Sequence, residues 1–476
     1  MVFKVHQKCM PQRVFVCMMA FIGLTLMFMM RFSLSLTLTF IALPKKSKKA
    51  IEGSCIKPST KNETSSDRVV IFEWDEGIQG QLLGGFFYGY VLTQLPAGVI
   101  SDLFGPRRVV FWSGFLTSIA TIIVGPVTNT LDWFGLFILR ILTGLFQGAF
   151  YASLHAVVAI WVPKTERGRL GTFVFVGAHV GNFGSVTITG FILHGLGQQR
   201  WQWLFFLYGG CGFVWSLLFF FMTYDNYTLC PDGLLKDDEK SKMDEYYSTT
   251  QKKEKVSFFD MPWKGFATNL PTYALAVGLW GHCWGLFVMI NNIPKFMASV
   301  LGFDVKSNGM YLGGAYLFMT IIAFASGAAS DWIEKKKIIS LTWNRVVFTT
   351  IASVLPSLGL LAVSYCECDG TCAFVCLIAG MGCMGTFYPS LKVNGIDLST
   401  NYGGTVGSTS HWLGTTAGAV GPPLVATLAP DSTIPQYRVV MWLSFILMSA
   451  TNIFYILFAS ANVQKFNYYQ PKKTRA

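Results

Sequence analysis

"GVISDLFGPRR", residues 98–108, returns in altered form as "GAASDWIEKKK", residues 327–337. Each copy sets an aspartate four residues after a glycine, Asp102 after Gly98 and Asp331 after Gly327, and follows it with a basic cluster. Each copy also closes the second of two long apolar runs, near 14–43 and 78–100 in the first case and near 267–294 and 309–329 in the second. Outward from these markers, further runs lie near 109–128, 134–160, 170–196 and 203–223, and near 341–364, 373–395, 403–428 and 437–460. A helix of about 20 residues crosses roughly 30 Å of hydrocarbon, so each run is long enough to span a bilayer. The reading is an all-α polytopic membrane protein with twelve transmembrane helices in two six-helix bundles, residues 1–223 and 267–476, joined by the charged linker 224–266. Repeats related about an axis along the membrane normal are a feature of transporters.

Composition agrees. Hydrophobic residues make up 52% of the 476 and charged residues 13%, about half the share usual in soluble domains. The net charge of +12 does not indicate nucleic acid, because the basic residues sit in short connections between apolar runs and form no basic domain. Their bias places both termini in the cytosol. Loop 44–77 breaks that bias with "PKKSKK", yet it also carries the Asn62 sequon, usable only from the lumenal side; under this topology Asn226 is cytosolic and silent. The first run is too long for a signal peptide and lacks a clear cleavage site, so it is read as a retained span. Cys366, Cys368 and Cys372 in "YCECDGTC" could pair among themselves or with Cys55, while the lack of a nearby histidine disfavours a zinc site.

The first run holds a charge: "MFMMRFSLSLTLTF", residues 27–40, surrounds Arg31 with uncharged residues. Such a charge costs several kcal/mol at mid-membrane and normally faces a bundle interior or an aqueous route. Arg140 lies in the fourth run, and a planar guanidinium suits a carboxylate or phosphate through paired hydrogen bonds. Gln147 follows seven residues later on nearly the same helix face, as a donor to substrate or a tie between helices, and His155 continues that face as a packing group, gate partner or proton carrier. His282, among Trp280, Trp284 and Phe287, and Tyr88 in "FFYGY" are further candidate contacts. In "KVNGID", Lys392, Asn394 and Asp397 suit an inner gate: Asp397 pairs with Lys392 or closes the gate, with sodium ligation as the lesser alternative. Asp102, Arg107, Arg108 and Asp331 form either a breakable gate cluster or a solvated positive loop.

With these residues in place, the chain resembles the major facilitator superfamily. Within it, the closer likeness is to the organic anion and phosphate transporters, the group of sialin, the vesicular glutamate transporters and the type I sodium-phosphate cotransporters. The likeness rests on "MRFSLSLTLT", "FEWDEGIQGQLLGGFFYGYVLTQLPAGVISDLFGPRR", "RILTGLFQGAFYASLHAVVAIWVPKTERGRLGTFVFVGAHVGNFG" and "FYPSLKVNGIDLSTNYGGTVGSTSHWLGTTAGAVGPP", in the family's order. It implies the major facilitator fold, alternating access and an anion held between arginines, with Arg31 and Arg140 matching the arginines of the first and fourth helices. His282 falls where glutamate transporters carry an arginine and many phosphate-type members a histidine. Gln147 replaces the glutamate of proton-coupled relatives, Thr143 another carboxylate, and no histidine accompanies Gly84 and Gly85. Glutamine cannot titrate, so sodium or membrane-potential coupling gains weight over proton coupling.

The expectation is a secondary active transporter of a small anion, inorganic phosphate or an organic carboxylate, acting as a monomer with no cofactor beyond a coupling Na+ or H+. The plasma membrane is favoured over a vesicular or lysosomal one. The alternatives are a facilitative carrier or channel, or a receptor without coupled flux. No Walker sequence and no nucleophile-base-acid set is present, so an enzyme is not expected.

Overall fold

Helices account for most of the described residues because in hydrocarbon every backbone amide must find its partner within the protein. A computed structural model describes residues 11–42, 55, 72–162, 164–231, 239–241, 243–244, 261–399 and 402–469. The first half comprises α1 (Gln12–Ile41), α2 (Glu76–Gln94), α3 (Ala97–Phe104), α4 (Pro106–Ile122), α5 (Val124–Gly148), α6 (Phe150–Trp161), α7 (Lys164–Leu196) and α8 (Gln202–Met222). The second comprises α9 (Leu270–Ser299), α10 (Val305–Lys336), α11 (Leu341–Val363), α12 (Gly370–Met384), α13 (Leu391–Leu398), α14 (Gly403–Leu428) and α15 (Ile434–Phe458).

Polar side chains start the spans where the sequence leaves an apolar run. Asp75 accepts from the Ile78 amide at the start of α2, Asn269 from Thr272 at α9, Asp304 from Ser307 at α10 and Asp369 from Cys372 at α12. Each satisfies amides that a helix start leaves unpaired. The third span is α4 with the start of α5, up to Asp132, whose φ of 51° and ψ of −148° reverse the chain into the fourth span. Asp132 is fixed there by the Trp74 indole N–H at 2.8 Å. The tenth span is broken between α12 and α13 by the turn Gly385–Phe387 and by Ser390.

Among the described residues, nine helical stretches are long and apolar enough to cross a membrane on length and composition alone. The other three spans complete the twelve. Of these, α4 has only 17 residues, while α2 and α14 carry glycine, glutamine, serine and threonine in place of leucine. Helix α2 packs between α5 and α14. At the α2–α5 crossing, a Cβ on Gly144 would stand 1.9 Å from the Phe86 carbonyl oxygen and one on Gly89 would stand 2.0 Å from that of Ile141. Only glycine permits that backbone contact.

The start of α1 and the end of α15 lie on one face, because an even number of spans returns the chain to its starting side. This is called the termini face, and the opposite one the loop face. Within the halves α1 packs on α7 and α9 on α14; across them α2 meets α14, α7 meets α10 and α1 meets α9.

Candidate functional site

Between the halves, near mid-depth, lies a cavity of about 110 Å³ whose lining includes Arg31 from α1, Asn182 from α7, His282 from α9, Lys392 from α13 and His411 from α14. Arg31 is 7% exposed. Its guanidinium carbon lies 4.4 Å from the Phe86 ring centre, 4.7 Å from Tyr90 and 4.9 Å from both Phe32 and Phe87. These ring faces hold a cation without neutralising it. His282, 2% exposed, stacks on Phe387 at 4.3 Å. Arg31 Nε, Asn182 Oδ1, His282 Nδ1 and His411 Nδ1 are all buried without a hydrogen-bond partner. Buried polar atoms are normally paired, so four orphans around one cavity indicate a place for a polar solute. Among the described residues, no carboxylate lines this cavity.

A second cavity, of about 650 Å³, shares Tyr151, His179, Tyr388 and Lys392 with the first and extends to Asp331 and Arg345 at the termini face. The path from the central chamber is thus open on that side. His155 lines it, stacked on Phe175 at 3.9 Å, and Lys392 Nζ sits 5.2 Å from the Tyr151 ring centre. Asp331 is exposed at the mouth.

The loop face is closed. Glu76 at the start of α2 forms a buried ion pair with Lys295 near the end of α9, and Ser432 Oγ donates to Glu76 Oε1 at 2.8 Å. Beside it, a Cβ on Gly190 would meet the Val305 carbonyl oxygen at 2.9 Å, which marks how closely α7 and α10 approach. Two disulfides lie on this face. Cys366–Cys372 closes the turn before α12, and Cys55–Cys368 joins the loop after α1 to the second half, with the Cys55 amide donating to the Val300 carbonyl at 2.9 Å. Of the pairings left open in the sequence, these are the two that form.

Other candidates have different surroundings. Arg140 lines neither cavity: its Nε donates to the Leu82 carbonyl at 3.3 Å and its Nη1 to the Arg31 carbonyl at 3.1 Å, binding α5 to α2 and α1. Gln147 Nε2 donates to the Met27 carbonyl at 3.4 Å, also toward α1. Tyr88 is 36% exposed on the outer surface, against Phe137, and it is Tyr90 that faces inward. Asp397 does not pair with Lys392. Its carboxylate receives Arg345 Nε at 2.8 Å and Nη2 at 3.4 Å, while Arg345 Nη1 reaches the Pro389 carbonyl at 2.9 Å. A guanidinium from the adjoining span matches both carboxylate oxygens, which an ammonium cannot do. Asn394 ties the end of α13 to the Ser460 carbonyl and the Tyr455 hydroxyl.

In the first repeat, Arg107 pairs loosely with Asp225 at 3.9 Å, donates to the Phe220 carbonyl and lies over the Phe220 ring, while Arg108 is exposed. Asp102 belongs to α3, but its side chain is outside the described set, and Asn62 lies outside the described residues altogether. Sequence reasoning passed over Tyr90, His179, Asn182, Arg345 and His411. The available signal was their polarity within apolar runs: of six histidines in the chain, His155, His179, His282 and His411 line the two cavities.

Comparison with known proteins agrees with this architecture. The Major Facilitator Superfamily profile matches residues 20–422. A Drosophila ananassae protein provisionally named an inorganic phosphate cotransporter is 29% identical over 83% of this chain and 81% of its own length. Human sialin is 26% identical over 96% of this chain and 91% of its own, and human vesicular glutamate transporter 2 is 26% identical over 96% and 75%. Among solved structures, a bacterial homologue of the human lysosomal transporter Spinster, inward-facing and unoccupied, superposes with a TM-score of 0.69 at 14% identity, covering 94% of this chain and 97% of the other. The inward-open xylose transporter XylE of E. coli gives 0.66 at 11%, covering 94% and 96%. The chain belongs to the Major Facilitator Superfamily and is a multi-pass membrane transporter of small solutes.

Proposed function

We propose that this transporter moves a small anion, inorganic phosphate or an organic carboxylate, by rocking residues 1–223 against 267–476 around the central cavity. The observation that carries the reading is Arg31: a buried guanidinium with an unpartnered Nε in a chamber that no carboxylate among the described residues lines. An uncompensated buried charge is costly, and a bound anion offsets that cost. With the termini in the cytosol, the open path faces inward and the Glu76–Lys295 pair closes the outer side. Arg345–Asp397 stands at the edge of the inner opening, which Asp331 also lines, and serves the inner gate, with Arg107 and Arg108 of the first repeat as its counterpart in the other half.

Gln147 leaves no titratable group at the position of the family glutamate, so sodium or the membrane potential supplies the driving force, and His155 is the alternative proton carrier. The plasma membrane is the favoured site, with a monomer as the working unit and a glycan on Asn62 on the outer face. Reconstitution into sealed vesicles, with phosphate and organic carboxylates offered under separately imposed sodium, proton and potential gradients, tests the reading. Concentrative anion uptake under one gradient supports it. Anion equilibration that ignores all three reduces it to facilitation, and binding without flux replaces it with a receptor.

A further inference from the structure

We infer that Lys392 is the second cation of the binding site, and that the site thereby selects doubly charged anions over singly charged ones. This rests on the anion reading above. Arg31 comes from α1 and Lys392 from α13, and both line the central cavity. Arg140, which the family likeness offers as the partner of Arg31, is turned away onto two backbone carbonyls. Among the described residues, the acids that might have neutralised Lys392 are engaged or stand at the mouth. Asp397 is held by Arg345 through both carboxylate oxygens, Glu334 reaches toward the same Arg345, and Asp331 stands exposed at the mouth. Among the described residues, the Lys392 ammonium lies against the face of the Tyr151 ring, 5.2 Å from its centre.

Two cations facing one chamber repel each other, and the repulsion strengthens as water is excluded. A monoanion compensates one of them. A dianion compensates both, and because one cation belongs to each half of the molecule, the same ligand draws the halves together as it binds. Asn182, His282 and His411 supply the neutral hydrogen-bonding groups around the pair. At about 110 Å³ the chamber admits a compact oxyanion or one end of a short dicarboxylate extending toward the wider cavity.

The test uses the full-length protein in proteoliposomes, with probes matched in skeleton and differing in charge: succinate against monomethyl succinate, and sulfate against methyl sulfate. The wild type is expected to favour the doubly charged member of a pair in kcat/KM. Lys392→Gln is expected to lower that ratio at least tenfold, mainly through KM, and Lys392→Arg to restore it. A wild type that does not discriminate, or a Lys392→Gln variant with an unchanged ratio, overturns the inference. If uptake of these anions still depends on Arg31 while the ratio ignores Lys392, the anion reading stands and only this inference falls. If the wild type moves none of the probes, this inference falls, and the anion reading falls with it if phosphate is not moved either.

Discussion

Arg31 and Arg140 lie on adjacent helices, yet their surroundings divide their roles. Arg31 is held by ring faces, which leave its charge available, while Arg140 is committed to carbonyls of α1 and α2. Arg31→Gln should therefore abolish anion uptake while the protein still reaches the membrane and elutes as a monodisperse species; normal uptake at every concentration would refute this. Arg140→Lys keeps the charge but loses the fork that reaches two carbonyls at once, a loss of about 1–3 kcal/mol. Its expected signature is a lowered melting temperature with KM within about twofold of wild type. An unchanged melting temperature with a raised KM would return Arg140 to the substrate. The sequence made both arginines conspicuous because charges inside apolar runs are rare, but it could not say which carbonyls lay within reach. The same blindness applies to Tyr88 and Tyr90: two residues apart on a helix they point about 200° apart, and only the packing of α2 between α5 and α14 decides which faces inward.

At the scale of elements, the loop face is held by the ends of α2 and α9 and the turn before α15, meeting through Glu76, Lys295 and Ser432. Removing one member of a buried ion pair leaves the other uncompensated, at a cost of about 3–5 kcal/mol. Lys295→Met should weaken this closure and raise the population open on the loop side. Labelling of a cysteine introduced on the loop-face half of the cavity, by a membrane-impermeant thiol reagent, would register the shift. The exchanged pair Glu76→Lys with Lys295→Glu should restore protection. Equal labelling in wild type and Lys295→Met would show that the glycine contacts of α7 with α10 close this face without the ion pair. Neither residue stood out in the sequence, because each lies at the edge of an apolar run, where a charge reads as an interfacial anchor. The same limit concealed Arg345, whose link to Asp397 joins two spans that the sequence separates by a whole loop.

For the whole molecule, the fold was legible because a bilayer demands long apolar helices and because the 98–108 motif recurs at 327–337. Twelve runs give twelve spans, and even the reversal between the third and fourth falls at Asp132, inside the gap the sequence left between them. What was not legible was the state of the molecule, open at the termini face and shut at the loop face, since that depends on contacts between halves with little sequence proximity. Sidedness is testable on its own. A glycan on Asn62 and none on Asn226 is expected, and loss of the sugar on Asn226→Gln rather than on Asn62→Gln would invert the orientation.

The Cys55–Cys368 bridge, finally, makes the polypeptide a closed ring between those two positions, with the charged stretch 224–266 inside the ring. A protease that nicks the chain once in that stretch therefore does not release its two pieces. They should migrate as a single band on a denaturing gel run without thiols and resolve into two only after dithiothreitol. Two bands without reductant would mean that the link is not formed in the cell.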